Sequence, residues 1–193
     1  MKRAACIRVA AVALALLAAP CLAQGPEAEL AEAKSAHARR DYLQAFKLLQ
    51  PLASRGNAEA QLRFGLMYHH GHGVREDDAE AFKWIGRAAL AGLAEAQFHY
   101  GNMYALGYGV PATEAEPDRE AARWYFEAAR QGHAEAQHNL GILFLTGKGV
   151  VSSSEEAMRW FRRAAAGGHQ ESRQFVGGHG APASPSPPPA AGK

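Results

Sequence analysis

The sequence predicts an all-α protein, a right-handed αα-superhelix of tandem helix pairs, and two observations carry that prediction. The first is repetition. Asn57-Ala58-Glu59-Ala60-Gln61 returns as Leu93-Ala94-Glu95-Ala96-Gln97 and as His133-Ala134-Glu135-Ala136-Gln137. A degenerate copy, His169-Gln170-Glu171-Ser172-Arg173, follows at the same interval as the first return; the middle interval is slightly longer. A near-constant period of roughly 20–50 residues marks stacked units that bury a core only against one another. The second is composition. Hydrophobic residues make up 48% of the chain, and much of that is alanine, the best helix former and the least bulky. No long run of β-branched residues suggests a strand.

The N-terminus reads as a secretory leader, residues 1–23. Lys2, Arg3 and Arg8 form a positive start, and Val9 to Ala19 is an unbroken apolar run. A bilayer span needs about 20 residues, well beyond this run. A membrane anchor is therefore disfavoured, and no stable span is expected after cleavage. Cys21 and Ala23 put small residues at −3 and −1 of a cut before Gln24. A lipid on Cys21 is the rival, against which Pro20 stands directly before that cysteine. The expected address is periplasmic or secreted. Removing the leader takes three positive charges from a formal +2, leaving −1, and removes both cysteines, Cys6 and Cys21. A nearly neutral chain offers no electrostatic footprint for nucleic acid. Without thiols it must hold its fold by packing.

Residues 24–56 form an atypical first unit, close to a tetratricopeptide pair. Ala28 to Ala38 makes helix A, and helix B begins at Asp41 with Ala45, Leu48, Leu49 and Leu52 on one face. Residues 57–92, 93–132 and 133–168 are the three regular units. Helix A runs from Ala58 to His70 in the first and starts near Ala94 and Ala134 in the others. Each stops at a Gly-x-Gly-Val loop: Gly71 to Val74, Gly107 to Val110 and Gly147 to Val150. Glycine there supplies the left-handed conformation that closes a helix. Helix B is expected to start near Asp77, Asp118 and Ser153 as N-caps, Ser153 and Glu156 having capping-box spacing. Its buried stripe repeats Ala81, Trp84, Ala88 and Ala89 as Ala121, Trp124, Ala128 and Ala129, then as Ala157, Trp160, Ala164 and Ala165. The longer middle unit places its extra residues in a loop from Pro111 to Pro117. Residues 169–176 should cap the stack. Residues 177–193, rich in Gly, Pro, Ala and Ser, should be a disordered tail.

These residues resemble the Sel-1-like repeat (SLR) family, relatives of the tetratricopeptide repeats. The family pattern is roughly A-x-A-x-x-x-L-G-x-x-Y-x-x-G-x-G-V, an acidic residue, A-x-x-W and A-A-x-x-G. It fits Ala58 to Gly92, Ala94 to Gly132 and Ala134 to Gly168. Phe64 and Tyr100 replace the leucine before the helix glycine, and Phe144 replaces the last tyrosine. The resemblance implies a scaffold for protein partners. Some secreted members are cysteine-rich, with a disulfide across each repeat and a link to β-lactam binding. The mature chain has no cysteine, so an activity of that kind, such as a β-lactam-binding hydrolase, is not carried over.

No enzyme is expected: there is no G-x-S-x-G and no mature cysteine nucleophile. No cofactor is expected either. The Gly-x-Gly loops follow helices rather than strands and lack a phosphate-loop lysine, so they read as helix stops. The three tryptophans recur beside the alanine pairs and read as core. His69, His70 and His72 are clustered and could suggest a metal binder. Adjacent helix positions do not face one ion, however, and no carboxylate completes a set by spacing. The histidines therefore read as exposed polar residues.

Comparison between repeats separates packing from binding. Ala58, Gln61, Phe64, Gly65 and Tyr68 barely change and must stack, with Gly65, Gly101 and Gly141 allowing close helix approach. A neighbouring stripe varies: Leu62, Leu66, His69 and His70; then Phe98, Asn102, Ala105 and Leu106; then His138, Ile142, Leu145 and Thr146. In tetratricopeptide-like arrays this side of helix A lines the concave groove, here bordered by Glu59, Glu95 and Glu135. The expected function is binding of an unknown protein or peptide there, with Phe98 as the central anchor.

Overall fold

A computed structural model describes residues 25–179. Among the described residues there are nine α-helices and no strand. They are α1 (Pro26–Ala38), α2 (Tyr42–Ser54), α3 (Ala58–His70), α4 (Asp78–Leu90), α5 (Ala94–Leu106), α6 (Pro117–Arg130), α7 (Ala134–Thr146), α8 (Ser154–Ala166) and α9 (Gln170–His179). Every substantial contact joins helices adjacent in sequence, and contact is denser within a pair than between pairs. That is the connectivity of a helical-repeat superhelix, in which each unit meets only its neighbours. The expected leader and residues 180–193 lie outside the described residues. No described helix is long and apolar enough to cross a membrane.

Helix A owes its length to signals at both ends. Asn57 Oδ1 accepts from the Ala60 N–H at 2.8 Å, an N-cap bond. At the other end Gly71, Gly107 and Gly147 adopt φ of 66°, 78° and 72° and close α3, α5 and α7. Within the helix, glycine permits close approach to helix B. A Cβ on Gly65 would stand 2.6 Å from Ile85, and one on Gly141 would stand 2.7 Å from Phe161.

The second glycine of each loop does more than stop a helix. Gly73, Gly109 and Gly149 have φ of 73°, 65° and 67°, and a Cβ there would collide with the carbonyl of Tyr42, Asp78 or Asp118. Those residues open helix B of the preceding unit. The loop thus docks backbone to backbone on the previous repeat, at a place where no side chain fits.

Gln61, Gln97 and Gln137 are buried. Their Nε2 groups donate to the carbonyls of Ala53, Ala89 and Ala129 at 3.1, 3.3 and 3.0 Å. Each adds a second bond to a carbonyl in the last turn of the preceding helix B, which also accepts from the N–H of Gly56, Gly92 or Gly132. Arg173 does the same for Ala165 at 3.0 Å in the degenerate last unit.

The alanine–tryptophan stripe forms the core, with Trp84 and Ala165 half-buried. Trp124 and Trp160 are buried. Arginines lie over all three rings: Arg87, Arg123 and Arg163, at 4.4, 4.9 and 4.6 Å from the centroids.

Three expected boundaries move, the first being α1, which starts at Pro26 rather than Ala28. Helix α6 starts at Pro117, not after a cap at Asp118, because proline's fixed φ suits the first helical position. Glu116 holds the cap position without a side-chain cap bond. At the C-terminal end α9 runs to His179, past Gly177, the expected start of the tail.

Candidate functional site

The helix A face carries three cavities, each bridging successive units. One of about 280 Å³ is lined by His37, Leu49, Arg63, Leu66, His70 and His72. The next, about 150 Å³, is lined by Leu66, His69, His70, His99, Asn102 and Leu106 among others. The third, about 260 Å³, is lined by Ala105, Tyr125, Asn139, Ile142, Thr146 and Lys148 among others. Leu66 and His70 are shared by the first two, so the cavities form a row from α1 to α7. Two larger hollows, about 640 and 600 Å³, lie between a helix B and the loop of the following unit. They are more open and link no two A helices, so size does not make them the better candidates.

Nine of the twelve expected groove residues fall on this face. Leu66, His69, His70, Asn102, Ala105, Leu106, Ile142 and Thr146 line the cavities. Leu145 is exposed on the same helix as Ile142. Leu106 and Ile142 stay 66% and 40% exposed, large for apolar side chains.

Leu62, Phe98 and His138 do not belong to the groove. Leu62 is buried in the core with Ala81, Ile85 and Ala96, against which Leu93 also packs. Phe98 is half-buried and stacks on His133, ring centroids 4.7 Å apart. His138 stacks on His169 at 4.2 Å. The three positions share one job. Each packs toward the residue that opens the next helix A, which is Leu93, His133 or His169. Two adjacent stripes of helix A vary between repeats, and only one of them faces the groove.

Sequence comparison missed the groove position one residue further on, Arg63, His99 and Asn139. It also varies between repeats, and that variation was the available signal. Tyr125 and His72 arrive from helix B and the loop, with no such signal.

Polar groups on this face are held in fixed poses. Tyr125 O–H donates to Asn102 Oδ1 at 2.7 Å, and burial pushes that hydroxyl up to about 12, so it remains a donor. His69 Nδ1 meets Asp78 Oδ1 at 2.5 Å. Lys34 and Arg63 both bind Glu59, at 2.8 and 3.0 Å. Their charges are spent within the protein, and hydrogen bonding to Lys34 holds the Glu59 carboxyl below its ordinary value. His72 lies flat on Tyr42 at 4.1 Å, with its Nδ1 buried and without a hydrogen-bond partner. Burial lowers His37, His70 and His99, in each case aided by neighbouring imidazoles. The face thus offers apolar contact and mostly neutral hydrogen-bonding groups, with Lys148 and Asp118 as charged groups at the third cavity.

Two histidines expected to be plain exposed residues are helix caps. His133 and His169 are half-buried, and their Nδ1 atoms accept from the N–H of Ala136 and Ser172 at 3.3 and 3.2 Å. Clustered His69, His70 and His72 do not converge on a metal position. Distant His138, His169 and Glu171 do, each with a ligand atom within 4.8 Å of the others.

The family model described as Sel1 repeat matches residues 28–57, 58–93, 94–133 and 134–169. The first match takes in the unit set apart above as tetratricopeptide-like. Among solved structures, a Sel1 repeat protein from Oxalobacter formigenes is 32% identical, with a TM-score of 0.70, covering 77% of this chain and 59% of that one. A protective antigen of uropathogenic Escherichia coli with an SLR fold is 30% identical, with a TM-score of 0.74, covering 82% and 34%. The chain therefore spans less than two thirds of either protein. Cysteine-rich protein B of Helicobacter pylori, at 18% identity and a TM-score of 0.55, covering 69% and 96%, is alike in fold alone. No curated protein matches the chain in sequence.

Proposed function

Since the chain belongs to the Sel1 repeat family, we propose that it is an exported, non-enzymatic scaffold that binds a protein or peptide segment along its A helices. One observation carries this reading: the three cavities follow one another along the A helices of four units, the first two sharing Leu66 and His70, and Leu106 and Ile142 at their rims stay exposed. Contiguous apolar surface with polar groups at its edge is typical of contact sites. A segment of one helix or one extended strand could meet several cavities at once. Export is supported by the charged start, short apolar run and small residues of 1–23. The similar Escherichia coli protein is described as a protective antigen, which agrees with an extracytoplasmic address.

Site-specific photo-crosslinking in the exporting cell tests the binding face. A crosslinker at Leu106 or Ile142 should trap a discrete adduct, and one at Arg162 on α8 should not. Adducts from Arg162 alone would move the site off the A helices. Mass spectrometry of the exported protein tests the leader: a start at Gln24 is expected, and an intact leader or a lipid on Cys21 contradicts it.

A further inference from the structure

The α7–α9 junction repeats a packing pair found at every regular unit. Leu93 packs against the core cluster that holds Leu62, Phe98 stacks on His133, and His138 on His169. Of these three pairs, the last alone is made of two imidazoles. It is also the one flanked by a carboxylate and a buried hydroxyl from the same helix turn. Glu171 Oε2 lies 3.5 Å from His138 Nε2. Ser172 is fully buried, its Oγ 2.8 Å from His138 Nδ1 and 3.1 Å from His169 Nδ1.

We propose that this junction is a zinc-type divalent cation site, with His138, His169 and Glu171 as ligands and the Ser172 hydroxyl orienting both rings. The argument rests on where the ring nitrogens point. Both Nδ1 atoms face one oxygen, so both Nε2 atoms are left on the far edges of two rings stacked 4.2 Å apart. A hydroxyl oxygen has two lone pairs and can accept from both Nδ1–H groups. Such an outer bond fixes the tautomer that leaves Nε2 free for a metal. Without a cation, His169 Nδ1 instead accepts from the Ser172 N–H. Loading moves the ring proton from Nε2 to Nδ1 and exchanges that cap bond for one to Ser172 Oγ.

The ligand atoms lie within 4.8 Å of one another. Ligands about 2.1 Å from a tetrahedral zinc stand about 3.4 Å apart, so the set must close by roughly an ångström. Glu171 Oε2 already stands at that spacing from His138 Nε2, so the closing falls on His169, and the Glu171 side chain, 78% exposed, is free to follow it. Two imidazoles and a carboxylate suit zinc, with water in the fourth position. A bound ion would tie α7 to α9 and fasten the C-terminal helix to the stack.

The test is calorimetric titration of the full untagged chain with zinc chloride, followed by cobalt(II) absorption and thermal melting. His169→Asn removes a ligand but keeps a cap, since Asn57 caps α3 in the same position. Glu171→Ala removes the exposed ligand, which makes no contact needed for folding. One zinc per chain is expected, with a tetrahedral cobalt band and a higher melting temperature. Both variants should bind at least tenfold more weakly, and His70→Ala should bind like wild type. No zinc uptake at about 100 μM, or undiminished uptake by both variants, overturns the proposal.

Discussion

At Gln97 one side chain closes two gaps. Its Nε2 donates to the Ala89 carbonyl, and its Oε1 accepts from Gln131 Nε2 at 2.8 Å. Replacing it with leucine of similar size removes both bonds and leaves the Ala89 carbonyl with the Gly92 N–H alone, a loss of about 0.5–1.5 kcal/mol per bond. Denaturant melts should show Gln97→Leu destabilised on that scale and the exposed Glu95→Ala nearly unchanged; equal midpoints would mean that the Gly92 bond alone suffices. Phe98 belongs to the same scale. Because it stacks on His133 and packs against the third core cluster, Phe98→Ala should lower the melting temperature as well as any partner affinity. Leu106→Ala should lower affinity alone. A Phe98→Ala protein that melts like wild type would return this residue to the groove. No property of residue 98 by itself distinguishes these roles. The choice depends on what stands at residue 133, and that is visible only once the helices are stacked.

The Gly-x-Gly-Val loop invites a comparison between its own glycines. Gly107 and Gly109 both have positive φ, so alanine at either costs roughly 1–2 kcal/mol of backbone strain. Only Gly109 meets the Asp78 backbone, whereas a Cβ on Gly107 meets nothing within 4 Å. Gly109→Ala should therefore be clearly the worse of the two by thermal denaturation, and equal losses would refute docking between units. Elements are legible in the sequence wherever a signal repeats. Ala58 to His70 is readable to the residue, because its stripe and its closing glycine recur in three copies. Helix α6 is misread by a residue or two, where Pro117 and Asp118 offer rival starts and no other repeat has that proline. The loop's docking role is not legible, since a helix stop and a contact with the previous unit demand the same residue.

For the whole molecule, acidity is the informative variable. Burial depresses His37, His70, His99 and His133 below the ordinary imidazole value. A depressed histidine binds its proton more readily in the unfolded chain. Below about pH 6.5 the unfolded state therefore holds more protons, and stability falls as pH falls. All four act in the same sense. Melting temperatures should be highest at pH 7.5 and decline through 6.5 to 5.5, and a flat profile would mean that these rings are solvated. The histidine pattern also shows where sequence reasoning stops. His69, His70 and His72 attract notice by adjacency, yet adjacent positions on a helix diverge. His138 and Glu171 lie far apart in the chain, on α7 and α9 with all of α8 between them, and only superhelical stacking brings them together.

The loop glycines and the buried glutamines share a direction. Gly109 docks on Asp78, and Gln97 reaches Ala89; in each case the later residue seeks a backbone group made earlier. A chain delivered N-terminus first, from a ribosome or through a secretion pore, would find each docking surface waiting when the next loop arrives. Assembly can keep pace with delivery, each turn of the spiral becoming the template for its successor.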